Sequence, residues 1–152
     1  MRLTTYTDYS LRTLLHIGSN RHRLVTIQEI ADLHAISKNH LTKVVHQLGL
    51  FGVIETVRGR NGGLRLRLEP KDINLGAIVR RTESDFYMAE CFNPQGTPCG
   101  LDGACGLKGV LFDATAAYLA VLDNKTLADL LPEPKPASAT LNFYPRAVPA
   151  ND

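Results

Sequence analysis

Nothing in this chain approaches the roughly 18 consecutive apolar residues that cross a bilayer. Its opening, Met1-Arg-Leu-Thr-Thr-Tyr-Thr-Asp8, lacks the apolar core of a secretory signal. No membrane partner is expected, and a cytoplasmic location is. Histidine is missing beyond position 46: the five histidines stand at 16, 22, 34, 40 and 46. No Cys–His pair is therefore evident, and with no other nucleophile and base in view the chain is not expected to be an enzyme. Paired Cys-x2-Cys knuckles are also missing, which weighs against structural zinc. Cysteine is scarce and odd in number, with three in 152 residues, which weighs against a disulfide framework. No internal repeat is visible.

The cysteine that is present is concentrated. Cys91, Cys99 and Cys105 lie within Glu90-Cys-Phe-Asn-Pro-Gln-Gly-Thr-Pro-Cys-Gly-Leu-Asp-Gly-Ala-Cys-Gly106, a segment whose Gly and Pro content predicts a loop. Three thiols on one loop suggest a soft metal centre with one further ligand. An iron–sulfur cluster is the leading reading, because its spaced irons accept wider ligand gaps than a single zinc ion does. A metal-free thiol-redox switch is the alternative.

Charge separates the two halves. Residues 1–81 carry 13 Lys/Arg against 6 Asp/Glu, a net +7; residues 82–152 carry 4 against 9, a net −5. A basic front half fits a polyanion such as DNA. Its pattern predicts a mostly α fold with a small β-hairpin, a winged helix-turn-helix. A first helix begins near Thr5, with Asp8 as a capping-box acid and Leu11, Leu14, Leu15 and Gly18 on one face. Thr26-Ile-Gln-Glu29 is a second capping box, opening a short helix with Ile27, Ile30 and Ala31 inward, and His34-Ala-Ile36 makes the turn. Ser37 caps a third helix that buries Leu41, Val44, Val45 and Leu48. Segments 53–58 and 64–68 read as paired strands around Gly59-Arg-Asn-Gly-Gly63, an arginine-rich wing. The residues expected to meet DNA are Thr26, Ser37, Lys38, Asn39, His40 and Lys43, with Arg58, Arg60, Asn61 and Gly62 on the wing.

The back half is expected to sense and dimerise. A short helix over 74–81 leads to the cysteine loop. Leu107, Val110, Leu111, Ala114, Ala117, Tyr118, Val121 and Leu122 then mark a long helix whose apolar face would pack on a second copy. Thr126-Leu-Ala-Asp129 caps a last turn before Pro132-Glu-Pro-Lys-Pro136. The division expected is a DNA-binding domain over 1–82, a cysteine-rich cluster loop over 83–106, a dimerisation helix and terminal turn over 107–131, and a disordered tail over 132–152 anchored only by Phe143 and Tyr144.

Four pieces together carry a resemblance: Arg2-Leu-Thr-Thr-Tyr-Thr-Asp-Tyr9, Val57-Arg-Gly-Arg-Asn-Gly-Gly-Leu64, the three-cysteine loop, and Leu122-Asp-Asn-Lys-Thr-Leu-Ala-Asp-Leu130. Over about residues 1–131 the chain resembles the winged-helix iron–sulfur regulators, in particular the NsrR family of nitric-oxide-sensing repressors, with the IscR cluster regulators more distant. The resemblance implies a homodimer that represses transcription from a pseudo-palindromic double-stranded DNA operator, with nitric oxide as effector. It also implies an iron–sulfur cluster on Cys91, Cys99 and Cys105, with 4Fe-4S favoured and 2Fe-2S the alternative. The fourth ligand would be Asp8 of the partner subunit; Glu90, Asp102 or a small exogenous ligand are the other choices. Two departures stand out. The first cysteine gap holds seven residues, longer than usual in these regulators, and Lys108 stands where the cluster regulators carry a histidine. A general iron–sulfur-status regulator is the remaining alternative.

Overall fold

Four side-chain caps set the helix starts. Thr4, Thr26, Ser37 and Asn74 each hold extended backbone, and each side-chain oxygen accepts the N–H three residues on, from Thr7, Glu29, His40 and Ala77. The helices that follow are α1 (Thr5–Ser19), α2 (Ile27–His34), α3 (Lys38–Leu50) and α4 (Leu75–Thr82); α5 (Gly106–Asp123) comes after the cysteine loop. Strands β1 (Ile54–Val57) and β2 (Gly63–Leu66) form an antiparallel hairpin with Ile54 opposite Leu66 and Val57 opposite Gly63. Short 3-10 turns lie at Pro70–Asp72, Glu90–Phe92 and Ala128–Leu130. This is a computed structural model; it describes residues 2–97, 99–101 and 103–132. Asp102 and the tail beyond Pro132, with Phe143 and Tyr144, lie outside the described residues.

The first cap departs from the sequence reading. Thr4, not Thr5, is the cap, so Asp8 stands one residue past the position from which a capping-box acid reaches back. Asp8 instead pairs with Arg12 one turn on, at 3.0 Å. The backbone N–H of Thr4 donates to Glu83 Oε1 at 2.8 Å, and the Thr4 hydroxyl donates to the same oxygen at 3.2 Å. The acid that completes this helix start comes from 79 residues away.

The core gathers Leu14 and Ile17 from α1, Ile30 and Ala31 from α2, Ile54 and Leu64 from the hairpin, and the α3 stripe Leu41, Val44, Val45 and Leu48. The α3 stripe is the one its spacing predicts. On α1, Leu11 and Leu15 are only partly buried, whereas Thr7, Ser10 and Thr13 are fully buried. The reason is that α1 is covered on more than one side, by α3, β2 and α4. Where it meets α4, the Thr7 hydroxyl donates to the Thr82 hydroxyl at 2.9 Å. The wing is also tied inward: Val25, just before α2, exchanges two backbone hydrogen bonds with Leu64 at 3.0 and 2.7 Å.

The back half returns to this core. The front half does not close by itself: Leu127 is 1% exposed within the same cluster, and Leu131 packs beside it. Both meet Gly18, where a Cβ would come within 3.0 Å of Leu131 and 3.4 Å of Leu127. The exit of α5 is fixed by Arg80, which holds the Asp123 carboxylate with two nitrogens, and by Asn74, which donates to the Asp123 carbonyl at 2.6 Å. Gly76 allows this docking, because a Cβ there would overlap the Asp123 carboxylate. No residue of α5 is buried. Leu111, Thr115, Tyr118 and Leu122 are half-buried toward the body. The neighbouring stripe of Leu107, Val110, Ala114, Ala117 and Val121 is exposed, at 64% for each of Leu107, Val110 and Val121.

Candidate nucleic-acid interface and cysteine loop

Ion pairing decides which cations can meet an outside anion. Arg12, Arg21, Arg23, Arg65 and Arg80 are matched internally by Asp8, Glu69, Glu29, Glu55 and Asp123. Among the described residues, Lys38 and Lys43 on α3, Arg58 and Arg60 at the wing, Arg67, Arg81, Arg2, Lys71 and Lys125 have no carboxylate within ion-pair distance. Five of these unmatched cations, Lys38, Lys43, Arg58, Arg60 and Arg67, belong to α3 and the hairpin that follows it. Arg65, on β2 of the same hairpin, is held by its cross-strand neighbour Glu55.

The predicted contact residues on α3 and at the wing are exposed apart from Gly62, which is partly buried. Lys38, Asn39, His40 and Lys43 are exposed along α3, and Arg58, Arg60 and Asn61 are exposed at the wing. Thr26 and Ser37 are also exposed, though their oxygens already accept the cap hydrogen bonds. His40 is steadied by Tyr9 of α1, with ring centroids 6.4 Å apart. The wing turn is tight: Gly59 has φ +118°, the Gly62 N–H donates to the Gly59 carbonyl at 3.0 Å, and a Cβ at Gly62 would overlap the Val57 carbonyl.

The turn between α2 and α3 is braced from behind. Ala35 takes the left-handed conformation at φ +52°. The Glu29 carboxylate does not reach back to its own cap. It accepts from Arg23 Nη1 at 2.8 Å and meets His16 Nε2 at 2.8 Å. These partners, Arg23 first and His16 second, hold its carboxyl down at about 2. His34 packs edge-on to His16, and burial, with Arg12 and His16 nearby, lowers its pKa.

The three cysteines share one loop and are all unbridged. Cys91 is half-buried in the Glu90–Phe92 turn, Cys99 is exposed, and Cys105 is half-buried at the cap of α5. Among the described residues they do not gather with Asp8, Glu90 or any other His, Asp or Glu into a ligating group within the single chain. The donor chemistry nevertheless suits a thiolate-bound centre. A Cβ at Gly100, Gly103, Gly106 or Gly109 would meet nothing within 4 Å, so there is open space beside Cys99 and Cys105. Such a site would hold an iron–sulfur cluster through its sulfurs.

Sequence reasoning missed Glu83 and Arg81. Glu83 ties the root of the cysteine loop to the start of α1, a contact with no local signal. Arg81 was hidden beside Arg80: one helical step turns the two guanidinium groups apart, Arg80 to Asp123 and Arg81 onto the Phe51 ring, 4.0 Å from its centroid.

Comparison with known proteins fits this geometry. Residues 3–133 match the Rrf2 family, described as an iron-dependent transcriptional regulator. The HTH-type transcriptional regulator NsrR of Shouchella clausii is 50% identical over 144 residues, 94% of this chain and 97% of that protein. NsrR of Bacillus subtilis is 52% identical over 132 residues, 86% of this chain and 90% of that protein. Among solved structures, the oxidized form of CymR from Staphylococcus aureus superposes with a TM-score of 0.70 at 25% identity, over 90% of this chain and 100% of that one. IscR of T. potens superposes with a TM-score of 0.66 at 24% identity, over 86% of this chain and 85% of that one.

Proposed function

Because this chain belongs to the Rrf2 family of transcriptional regulators, which are not enzymes, we propose that it is a cytoplasmic, homodimeric repressor whose operator affinity is set by a nitric-oxide-sensitive iron–sulfur cluster. The observation that carries this reading is the position of three free thiols on the one segment that joins α4 to α5. A group held there adjoins both the reading half and the helix with an uncovered apolar stripe.

Cys91, Cys99 and Cys105 would hold the cluster, 4Fe-4S in preference to 2Fe-2S, with Asp8 of the partner subunit as fourth ligand. When bound, the cluster supplies iron that reacts with nitric oxide. Everything else falls to the chain's own residues. The exposed stripe Leu107–Val110–Ala114–Ala117–Val121 follows the alternating three- and four-residue spacing of a coiled-coil seam, and its alanines permit close approach of a second copy. Two reading helices must then stand about 34 Å apart to enter successive major grooves of a pseudo-palindrome. Asp8 lies on α1, which packs against α3. A bond from Asp8 to the partner subunit would fix that separation, and its loss would lower the population of the DNA-competent dimer.

The test is anaerobic purification followed by a visible spectrum, iron and sulfide analysis, and operator gel shifts before and after nitric oxide. Brown protein with iron and sulfide, bleached by Ala at any one of the three cysteines and released from operator by nitric oxide, is expected. Colourless protein with stoichiometric zinc would overturn the reading. Metal-free protein that changes affinity on thiol oxidation would replace it with the thiol-redox alternative.

A further inference from the structure

The unmatched cations include one that the reading surface does not use. Arg81, near the end of α4, lines a shallow recess of about 510 Å³ together with Tyr6 of α1 and Thr42, Lys43, His46 and Gln47 of α3. No acidic residue lines this recess. We infer that it seats a backbone phosphate of the operator on the flank of α3, as a contact that neutralises charge and reads no base.

Three features build the seat. The Arg81 guanidinium is stacked on Phe51 at 4.0 Å and donates one N–H to the Phe51 carbonyl at 3.4 Å, so its plane is set before any ligand arrives. An arginine held in this way loses less freedom on binding than a mobile lysine does. The Thr42 hydroxyl is already spent on the Lys38 carbonyl at 2.9 Å. Among the described residues, neither the Tyr6 hydroxyl nor the His46 ring has a hydrogen-bond partner. Tyr6, His46, Lys43 and the remaining N–H groups of Arg81 therefore offer uncommitted donors from three helices along one recess. A helix lying in a major groove about 12 Å wide has a phosphate strand along each flank. A recess with donors and no acid on that flank matches a phosphodiester.

The seat also stands at the root of the cysteine loop. Thr82, next to Arg81, is bonded to Thr7 on α1, and Glu83 holds the start of the same helix. Arg81 and Tyr6 are therefore fixed to each other through the junction from which the loop departs. A displacement of that junction would move the seat while leaving the exposed face of α3 intact.

This inference rests on the reading that α3 and the wing bind DNA. The probe is a duplex that the cluster-loaded wild-type protein selects from a random-sequence pool. Arg81→Gln should reduce the steepness of log affinity against log salt by about 0.9 for each seat engaged, with the preference for selected over random duplex unchanged. Arg81→Lys should keep the slope. Because Arg81 stacks on Phe51, melting curves must show that each variant is folded. A methylphosphonate scan of the duplex gives a second measure, independent of the variant's stability. Wild type should be weakened by neutralising one flanking phosphate per half-site, and Arg81→Gln should be indifferent to it. If wild type binds with salt dependence but Arg81→Gln has the same slope and the same methylphosphonate profile, the seat is refuted and the reading face stands. If loaded wild type selects no duplex at all, the DNA reading itself fails.

Discussion

Replacing Leu127 by Ala tests whether the segment after α5 belongs to the core of the reading half. Leu127 is 1% exposed, and its backbone N–H donates to the Ile73 carbonyl at 2.8 Å. Full burial of a leucine side chain contributes about 1.5–3 kcal/mol, and the cavity left behind adds to the loss. The wall opposite is Gly18, which has no side chain to move into the gap. Collapse is therefore limited, and the expected cost lies in the upper half of the roughly 2–5 kcal/mol range for such truncations. For a chain of this size that corresponds to a melting temperature lower by about 10 °C or more. Leu130, three residues on and 48% exposed, is the control, and Leu130→Ala should cost under about 1 kcal/mol. Thermal and urea melts of the metal-free protein, followed by circular dichroism, measure both. A Leu127→Ala protein that melts within about 2 °C of wild type would show that the segment is not part of this core.

Val110→Glu together with Val121→Glu should convert a dimer to a folded monomer by sedimentation equilibrium, since neither side chain contributes to the core of the single chain; an unchanged mass would remove the α5 stripe as the interface. Glu29 has its carboxyl pKa lowered from near 4.5 to about 2, so it contributes stability above pH 4.5 that is lost as pH falls toward 2. Wild type should therefore lose more stability than Glu29→Gln over that window in urea melts, and parallel pH profiles would contradict the Arg23–Glu29–His16 assignment. Asp8→Asn removes only an exposed pair with Arg12, worth about 0.3–0.5 kcal/mol. Its melting curve should barely move, while the cluster-loaded variant should show an altered spectrum and weaker operator binding; wild-type values for both would exclude Asp8 as a ligand.

The reading half was legible because its signals are local. Leu41, Val44, Val45 and Leu48 repeat at the helical period and nothing interrupts them, and all four are buried. Thr26 and Ser37 precede their helices directly and cap them. Asn61 and Gly62 sit in the turn of a hairpin that pairs Val57 with Gly63 and, farther out, Ile54 with Leu66. What was not legible depends on partners far along the chain. Nothing near Thr4 announces Glu83, and nothing near Leu127 announces Gly18. The cysteine loop has neither period, so its composition predicts loop and thiol chemistry but no path for the three sulfurs.

Asp8 shows how fine that limit is. Thr4, Thr5 and Thr7 are all plausible caps by residue type, and only the extended backbone of Thr4, at φ −63° and ψ 152°, selects among them. A shift of one residue takes the carboxylate from an obligatory helix contact to a surface pair with Arg12. That pair is weak enough to be given up to a stronger partner, whereas a capping bond would have had to be broken at the expense of the helix start. Glu83 has taken over the capping duty from the root of the cysteine loop. The two carboxylates thus divide the roles that sequence alone assigned to one. Glu83 anchors α1 to the loop within its own chain, and Asp8 holds only the exposed pair with Arg12.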